Sequence, residues 1–91
     1  MSQPPRLTLY YREGCHLCET MLQALGGLQS HLGFELQLVD IDRDPQLVQR
    51  YDEWVPVLCY GEQEICHYHL DETALRGAVS GQASPVGARG Q

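Results

Sequence analysis

The sequence predicts a single α/β domain in which a mixed four-stranded sheet carries helices on both faces. One observation is a segment with helical spacing of apolar residues, which stands between two segments of alternating apolar and polar residues. A second is a later pair of apolar segments around a glycine turn, with capped helical segments before and after it. The 91 residues are enough for one small core. The expected order is strand, helix, strand, helix, strand, strand, helix.

The first part of the chain has the pattern of a βαβ unit. Residues 6–11, RLTLYY, alternate and include β-branched and aromatic types, which favours a strand. The next segment repeats apolar residues every three or four positions and predicts a helix that stops at Gly33. Gly26-Gly27 lies inside that helix, so we expect a kink or an early end there. Residues 34–39, FELQLV, predict a second strand, parallel to the first because a crossover helix joins parallel strands.

The second part begins with a short helix. Asp44 is a favourable N-cap and Pro45 suits the first helical position, which together predict a helix over residues 45–52. Residues 56–60 and 64–68 then flank a turn and predict an antiparallel hairpin.

The chain closes with a helix and a polar segment. Asp71 is the expected N-cap of the last helix, which should extend to about Val79. Residues 80–91, SGQASPVGARGQ, are rich in glycine and have little to bury, so we expect a disordered tail. The expected domain therefore spans residues 1–79.

Charge and hydropathy exclude two classes of partner. The formal net charge is −6, and all six cationic residues are arginines without a basic cluster. Such a chain repels phosphate backbones, so we expect no nucleic-acid partner. No apolar run is long enough to span a bilayer, and the first residues lack a signal-peptide pattern. We therefore expect a cytoplasmic monomer with no membrane partner.

The segment YREGCHLCET contains the residues with the clearest chemistry. Cys15 lies where the first strand gives way to a helix, so its sulfur should sit at the helix N-terminus. Unpaired backbone N–H groups and the helix dipole stabilise a thiolate there. Cys18, one turn later, can attack a mixed disulfide formed at Cys15. This arrangement predicts a redox couple in which Cys15 attacks and Cys18 resolves.

The cysteines alone leave alternatives open, because metal sites also use Cys-x-x-Cys pairs. A zinc site would need two more ligands, for which Cys59 and Cys66 with His67 or His69 are the candidates. Cys59 and Cys66 also flank the hairpin turn and are either a second disulfide or two buried thiols. A zinc or iron–sulfur module and a non-catalytic interaction domain are therefore the alternatives to a redox enzyme.

The residues LYYREGCHLCET, followed downstream by WVPVL, resemble the thioredoxin superfamily and, within it, the small bacterial glutaredoxin-like proteins. The resemblance covers about residues 6–79 and implies a thioredoxin-like fold and thiol–disulfide oxidoreductase activity. It also implies that Cys15 is the nucleophile and Cys18 the resolving thiol. Pro56 matches the cis-proline beside the sulfurs. Val55 matches the residue whose backbone N–H and C=O pair with the substrate.

Three further substrate-binding candidates follow from the resemblance or from departures from it. Arg12 matches a cationic position near the carboxylate of glutathione. His16 stands beside the nucleophile and, if protonated, would stabilise its thiolate. Trp54 replaces an expected threonine and is a candidate lid over the site.

The segment after the last strand departs most from the family pattern. The glycine pair expected before Asp71 is absent, and the bulky segment CHYHLDE stands there instead. We therefore expect no bound cofactor and poor use of glutathione as co-substrate. The expected partner is a disulfide-containing protein or a small thiol, with a thioredoxin-type system as reductant.

Overall fold

The computed structural model describes residues 4–81 and has the predicted order of elements. The helices and strands are β1 (Arg6–Tyr11), α1 (His16–Leu32), β2 (Glu35–Asp40), α2 (Pro45–Tyr51), β3 (Val57–Tyr60), β4 (Gln63–His67) and α3 (Glu72–Gly81). Two single turns of 3-10 helix, Ile41–Arg43 and Asp52–Trp54, flank α2.

The sheet has the strand order β2-β1-β3-β4, which confirms the predicted mixed sheet. β1 pairs with β2 in parallel and with β3 in antiparallel orientation, and β3 and β4 form the antiparallel hairpin. In the middle of the sheet Leu9 of β1 lies opposite both Leu38 of β2 and Leu58 of β3. The parallel pair follows from the crossover through α1.

Helix α1 runs without a break past its two internal glycines, so the expected early end at Gly26-Gly27 is wrong. Gly26 and Gly27 are exposed, while Met21 and Leu25 on the opposite side of the helix are fully buried. Burial of that apolar stripe outweighs the low helix propensity of two glycines. The predicted stop at Gly33 is confirmed, with φ 73 in the left-handed region that glycine adopts most easily.

Both predicted N-caps are confirmed. A carboxylate oxygen of Asp44 accepts a hydrogen bond from the N–H of Gln46 at 2.9 Å. Asp71 accepts one from the N–H of Ala74 at 3.0 Å. Helix α3 continues through Gly81, two residues beyond the predicted end. The rest of the predicted tail, residues 82–91, lies outside the described residues.

Helices cover both faces of the sheet, as predicted. Leu7, Leu9 and Leu58 point to the face that α1 and α3 cover, where Leu25 and Leu75 complete the main core. A smaller cluster, which contains the dithiol, lies toward α2 and consists of Cys18, Ile41 and Val55 with the partly buried Tyr10, Tyr11, Cys15, Leu47, Val48 and Tyr51. Within residues 4–81, no helix is long and apolar enough to cross a bilayer.

The two hairpin cysteines do not form the disulfide that the sequence left open. An irregularity in the β3–β4 register pairs Leu58 with Cys66 but Cys59 with Glu64. Because neighbouring residues of a strand point to opposite faces, Cys66 joins the main core while Cys59 contacts Tyr51 on the other side. Both are free, buried thiols, and burial raises the pKa of each.

Candidate active site

The site is built around the start of α1, where the two cysteines are joined in a disulfide. Cys15 is the N-cap of α1, and its Sγ accepts a hydrogen bond from the backbone N–H of Cys18 at 3.1 Å. The two Cα atoms are 5.1 Å apart. Cys15 is partly exposed, whereas Cys18 is only 4% exposed. The cysteine that the sequence assigns to attack is therefore the more exposed of the two, and it lies at the helix N-terminus.

The Val55–Pro56 segment packs against this dithiol. Its peptide bond is cis, as the family resemblance predicted. Val55 is buried in the same cluster as Cys18, with Cys15 packed against that cluster. Val55 ends the Asp52–Trp54 turn in an extended conformation, with φ −65 and ψ 146. The C=O of Pro56 accepts a hydrogen bond from the N–H of Tyr68 at 2.9 Å, which ties this segment to the end of β4.

Arg12 joins three connecting segments of the chain. Its Nη2 donates to one carboxylate oxygen of Asp42 at 2.7 Å, and its Nε donates to the other at 3.2 Å. Its Nη1 donates to Asp52 at 3.2 Å. Arg12 follows β1, Asp42 follows β2, and Asp52 lies in the turn before Val55. The hydrogen bonds raise the pKa of Arg12 and lower the pKa of Asp42.

An aromatic cluster, made of Trp54, His67 and Tyr68, borders the cis-proline segment. The Trp54 ring stacks on the Tyr68 ring at 5.8 Å and meets the His67 ring edge-on at 5.3 Å. His67 Nδ1 lies 2.6 Å from a carboxylate oxygen of Glu64. Trp54 is 47% exposed, and Tyr68 has φ 64. Bulky rings therefore occupy the region where the family resemblance led us to look for small residues.

The comparisons with known proteins agree with this arrangement. A family model described as "Glutaredoxin-like domain (DUF836)" matches residues 6–80. The chain belongs to this family.

Solved structures place the glutaredoxin-like domain in the thioredoxin fold. It is similar to a protein of Nitrosomonas europaea solved by solution NMR, with 40% identity and a TM-score of 0.78 over 88% of this chain and 96% of that one. It is also similar to a protein of X. campestris, with 34% identity and a TM-score of 0.66 over 87% and 99% of the two chains. A thioredoxin of Fasciola hepatica shares the fold at 18% identity, with a TM-score of 0.57 over 87% of this chain and 81% of that one. The predicted superfamily and fold are confirmed.

The glutaredoxin-like domain brings most of the candidate residues together. Cys15, Cys18 and Val55 pack in one cluster. Pro56 follows Val55 through the cis bond, and Trp54 directly precedes Val55 in the chain. His16 is the first residue of α1 and is exposed. The Arg12 guanidinium faces carboxylates of its own chain, and its role as a ligand for a substrate carboxylate stays a prediction.

Sequence reasoning missed the partners that hold these residues in place. Asp42 and Asp52 lie 30 and 40 positions from Arg12, so no local pattern pairs them. Tyr68 was visible only indirectly, as a bulky residue in the segment where glycines were expected.

The ligand set considered for zinc is not assembled. The side chains of Cys59 and Cys66 lie on opposite faces of the sheet, so the two sulfurs are not placed to bind the same metal ion. Within residues 4–81, no group of three or more histidine, cysteine or acidic side chains is placed to hold a metal ion.

Proposed function

We propose that this glutaredoxin-like domain is a thiol–disulfide oxidoreductase in which Cys15 attacks and Cys18 resolves. The observation that supports it most directly is the asymmetry at the start of α1. Cys15 is partly exposed and its Sγ accepts a hydrogen bond from the Cys18 N–H at 3.1 Å, while Cys18 is 4% exposed. A donor aimed at a sulfur favours its thiolate, and the thiolate is the attacking form.

The proposed reaction has two exchange steps. The Cys15 thiolate attacks one sulfur of the substrate disulfide, and the other sulfur leaves as a thiolate that takes up a proton. Cys18 then loses its proton and attacks Cys15 Sγ, which releases the second substrate sulfur as a thiol. Two electrons pass to the substrate, and the Cys15–Cys18 disulfide forms. An external thiol or a thioredoxin-type reductase system would return the protein to the dithiol form.

Backbone pairing at Val55 is the proposed means of holding the substrate. Its N–H and C=O are the groups that the family resemblance assigns to substrate pairing, and Val55 has an extended backbone and packs in the cluster that contains Cys18. An extended substrate segment could pair with both groups as a short added strand. Trp54 and His16 would then border the bound segment as its side-chain contacts.

The bulky cluster beside Pro56 supports a polypeptide rather than glutathione as the preferred substrate. Tyr68 donates its backbone N–H to the C=O of Pro56, which ties this residue to the cis-proline segment. The ring of Trp54, which directly precedes Val55, stacks on the ring of Tyr68. The two rings leave less room beside the cis-proline segment. We propose a monomer that acts in the cytoplasm on disulfides of proteins or of small thiols, with glutathione a poor co-substrate.

The test uses Cys15→Ser and Cys18→Ser as a matched pair. Both reduced variants are mixed with a peptide disulfide under anaerobic conditions, and covalent adducts are measured by mass spectrometry. Cys18→Ser should accumulate a mixed disulfide at Cys15, because the resolving step is lost, and Cys15→Ser should form little adduct. The proposal fails if both variants form adducts equally. It also fails if protein purified under reducing conditions carries one equivalent of zinc or iron that Cys15→Ser loses.

A further inference from the structure

A cavity of about 300 Å³ opens beside the dithiol, between the end of β1, the first turns of α1 and the outer strand β2. Leu9, Leu22 and Leu38 form much of its wall, and the resolving residue Cys18 also lines it. Its size is at the lower end of the range typical of ligand pockets. It would accommodate one apolar side chain rather than a cofactor.

The apolar wall of this cavity is left open to solvent. Leu22 is 38% exposed and Leu38 is 47% exposed, although the strict alternation of β2 places Leu38 on the same face as the buried Leu9. Helix α1 covers Leu9 but not Leu38, which belongs to the outer strand of the sheet. An apolar group placed between the two leucines would remove their surface from water, which is favourable in free energy.

The rim of the cavity is acidic. Glu13 and Glu19 line it and are exposed. Arg12 also lines it, but its guanidinium is hydrogen-bonded to the carboxylates of Asp42 and Asp52. Because this one guanidinium is paired with two carboxylates, the net charge around the cavity is negative even when Arg12 is counted. This charge attracts a basic group and repels an anionic one.

The charge also decides between the candidate occupants. A second copy of this chain would bring a net charge of −6 and the same acidic rim against this one. A small anionic thiol would meet the same repulsion. A polypeptide segment with a basic residue next to an apolar one can pack its apolar side chain on the leucine wall and pair its basic side chain with the acidic rim.

We propose that this cavity is a substrate subsite, which takes an apolar side chain flanked by a basic residue from the disulfide-bearing polypeptide. The inference rests on the proposed oxidoreductase function and specifies its substrate class. Leu22 and Leu38 hold the apolar side chain, Glu13 and Glu19 face the basic residue, and the occupied cavity brings the segment against the dithiol.

The test measures exchange with four short peptides, each carrying one cysteine as a 2-pyridyl mixed disulfide. The residues on both sides of the cysteine are Leu with Lys, Leu with Glu, Ser with Lys or Ser with Glu, one combination in each peptide. Attack by the Cys15 thiolate forms a Cys15–peptide disulfide and releases pyridine-2-thione, which is neutral and is followed by its absorbance. Attack by Cys18 then releases the peptide thiol, so reduced protein needs no further reductant for a single turnover.

We expect the Leu–Lys peptide to react about tenfold faster than the Ser–Glu peptide at low salt. The advantage of Lys over Glu should shrink at about 1 M salt, where screening acts over about 3 Å. The advantage of Leu over Ser should persist there. Leu38→Ser and Leu22→Ser should reduce the preference for Leu, and a Glu13→Gln, Glu19→Gln double variant should reduce the preference for Lys. Glu62→Gln, in the hairpin turn, removes the same charge elsewhere and should keep both preferences.

Equal rates for all four peptides with wild-type protein overturn the inference and leave the proposed function standing. Preferences that survive unchanged in the cavity variants overturn it as well. If no peptide releases pyridine-2-thione faster than with the Cys15→Ser variant, the proposed function fails and the subsite falls with it.

Discussion

The guanidinium of Arg12 and the carboxylate of Asp42 form a two-pronged ion pair, with N–O distances of 2.7 and 3.2 Å. The pair links the loop before Cys15 to the turn after β2, and a third bond from Arg12 reaches Asp52 at 3.2 Å. Arg12 therefore ties the segment before Cys15 to the turn that leads into Val55, since Asp52 lies three residues before Val55.

Loss of this ion pair should slow exchange more than it destabilises the fold. Asp42→Asn should lower the rate of the first exchange step by about threefold to tenfold, because the loop that carries Cys15 is less well positioned. The midpoint of thermal unfolding should change little, because exposed ion pairs contribute little stability. Asp44→Asn, a change two residues away that keeps a favourable N-cap, is the control. A large fall in the unfolding midpoint with an unchanged rate would contradict this expectation.

The two thiols of the reduced protein should differ in alkylation. We expect Cys15 to react with iodoacetamide at pH values below about 8, because it lies at the helix N-terminus and accepts the Cys18 N–H. Cys18 should react slowly, since only 4% of its surface is exposed. Peptide mapping after timed alkylation separates the two sites. Equal rates would show that the helix terminus does not distinguish them.

Replacing the glycines inside α1 with alanine should stabilise the folded protein. A methyl group added at Gly26 or Gly27 would meet nothing within 4 Å. Each change to alanine should therefore raise the free energy of unfolding by about 0.5–1 kcal/mol, measured by urea denaturation. Gly33→Ala is the matched opposite, because Gly33 has φ 73, and it should lower stability. A lower stability for both helix variants would mean that the glycines have a packing role.

Stability should fall at alkaline pH through groups on the α2 side of the sheet. Burial raises the pKa of Tyr51 to about 12, and it also raises the pKa of the Cys59 thiol. A group whose pKa is raised by folding stabilises the folded state, and this contribution is fully present at pH values below its pKa in the unfolded chain. That contribution is lost as pH rises through the folded pKa. Urea denaturation between about pH 9 and 12 should show the decline.

The Tyr51→Phe variant separates the tyrosine from the thiols. It has no hydroxyl to ionise, so its stability should decline less steeply than that of the wild type above about pH 10. The ring remains available to stack on Tyr10, where the wild-type centroids are 4.4 Å apart. A variant with the same alkaline slope as wild type would assign the decline to other groups.

Much of the fold follows from local patterns. The alternation in β1, the caps at Asp44 and Asp71 and the stop at Gly33 each depend on residues within one element or turn. The position of Cys15 at a strand-to-helix boundary is equally local, which is why the place of the cysteine pair at the start of α1 could be predicted. Whether α1 ends at Gly26 could not be judged in this way, because burial of the opposite helix face decides whether the helix continues.

By itself the sequence determined the order of elements, the caps, the dithiol and, through the family resemblance, the cis bond at Pro56. Only the tertiary structure decided which distant groups meet. Asp42 and Asp52 reach Arg12 across 30 and 40 residues, and a register irregularity puts Cys59 and Cys66 on opposite faces. Leu38 is exposed beside the dithiol because its strand lies at the sheet edge, beyond the cover of α1. Patterns along the chain report local conformation, whereas these contacts depend on how the elements pack.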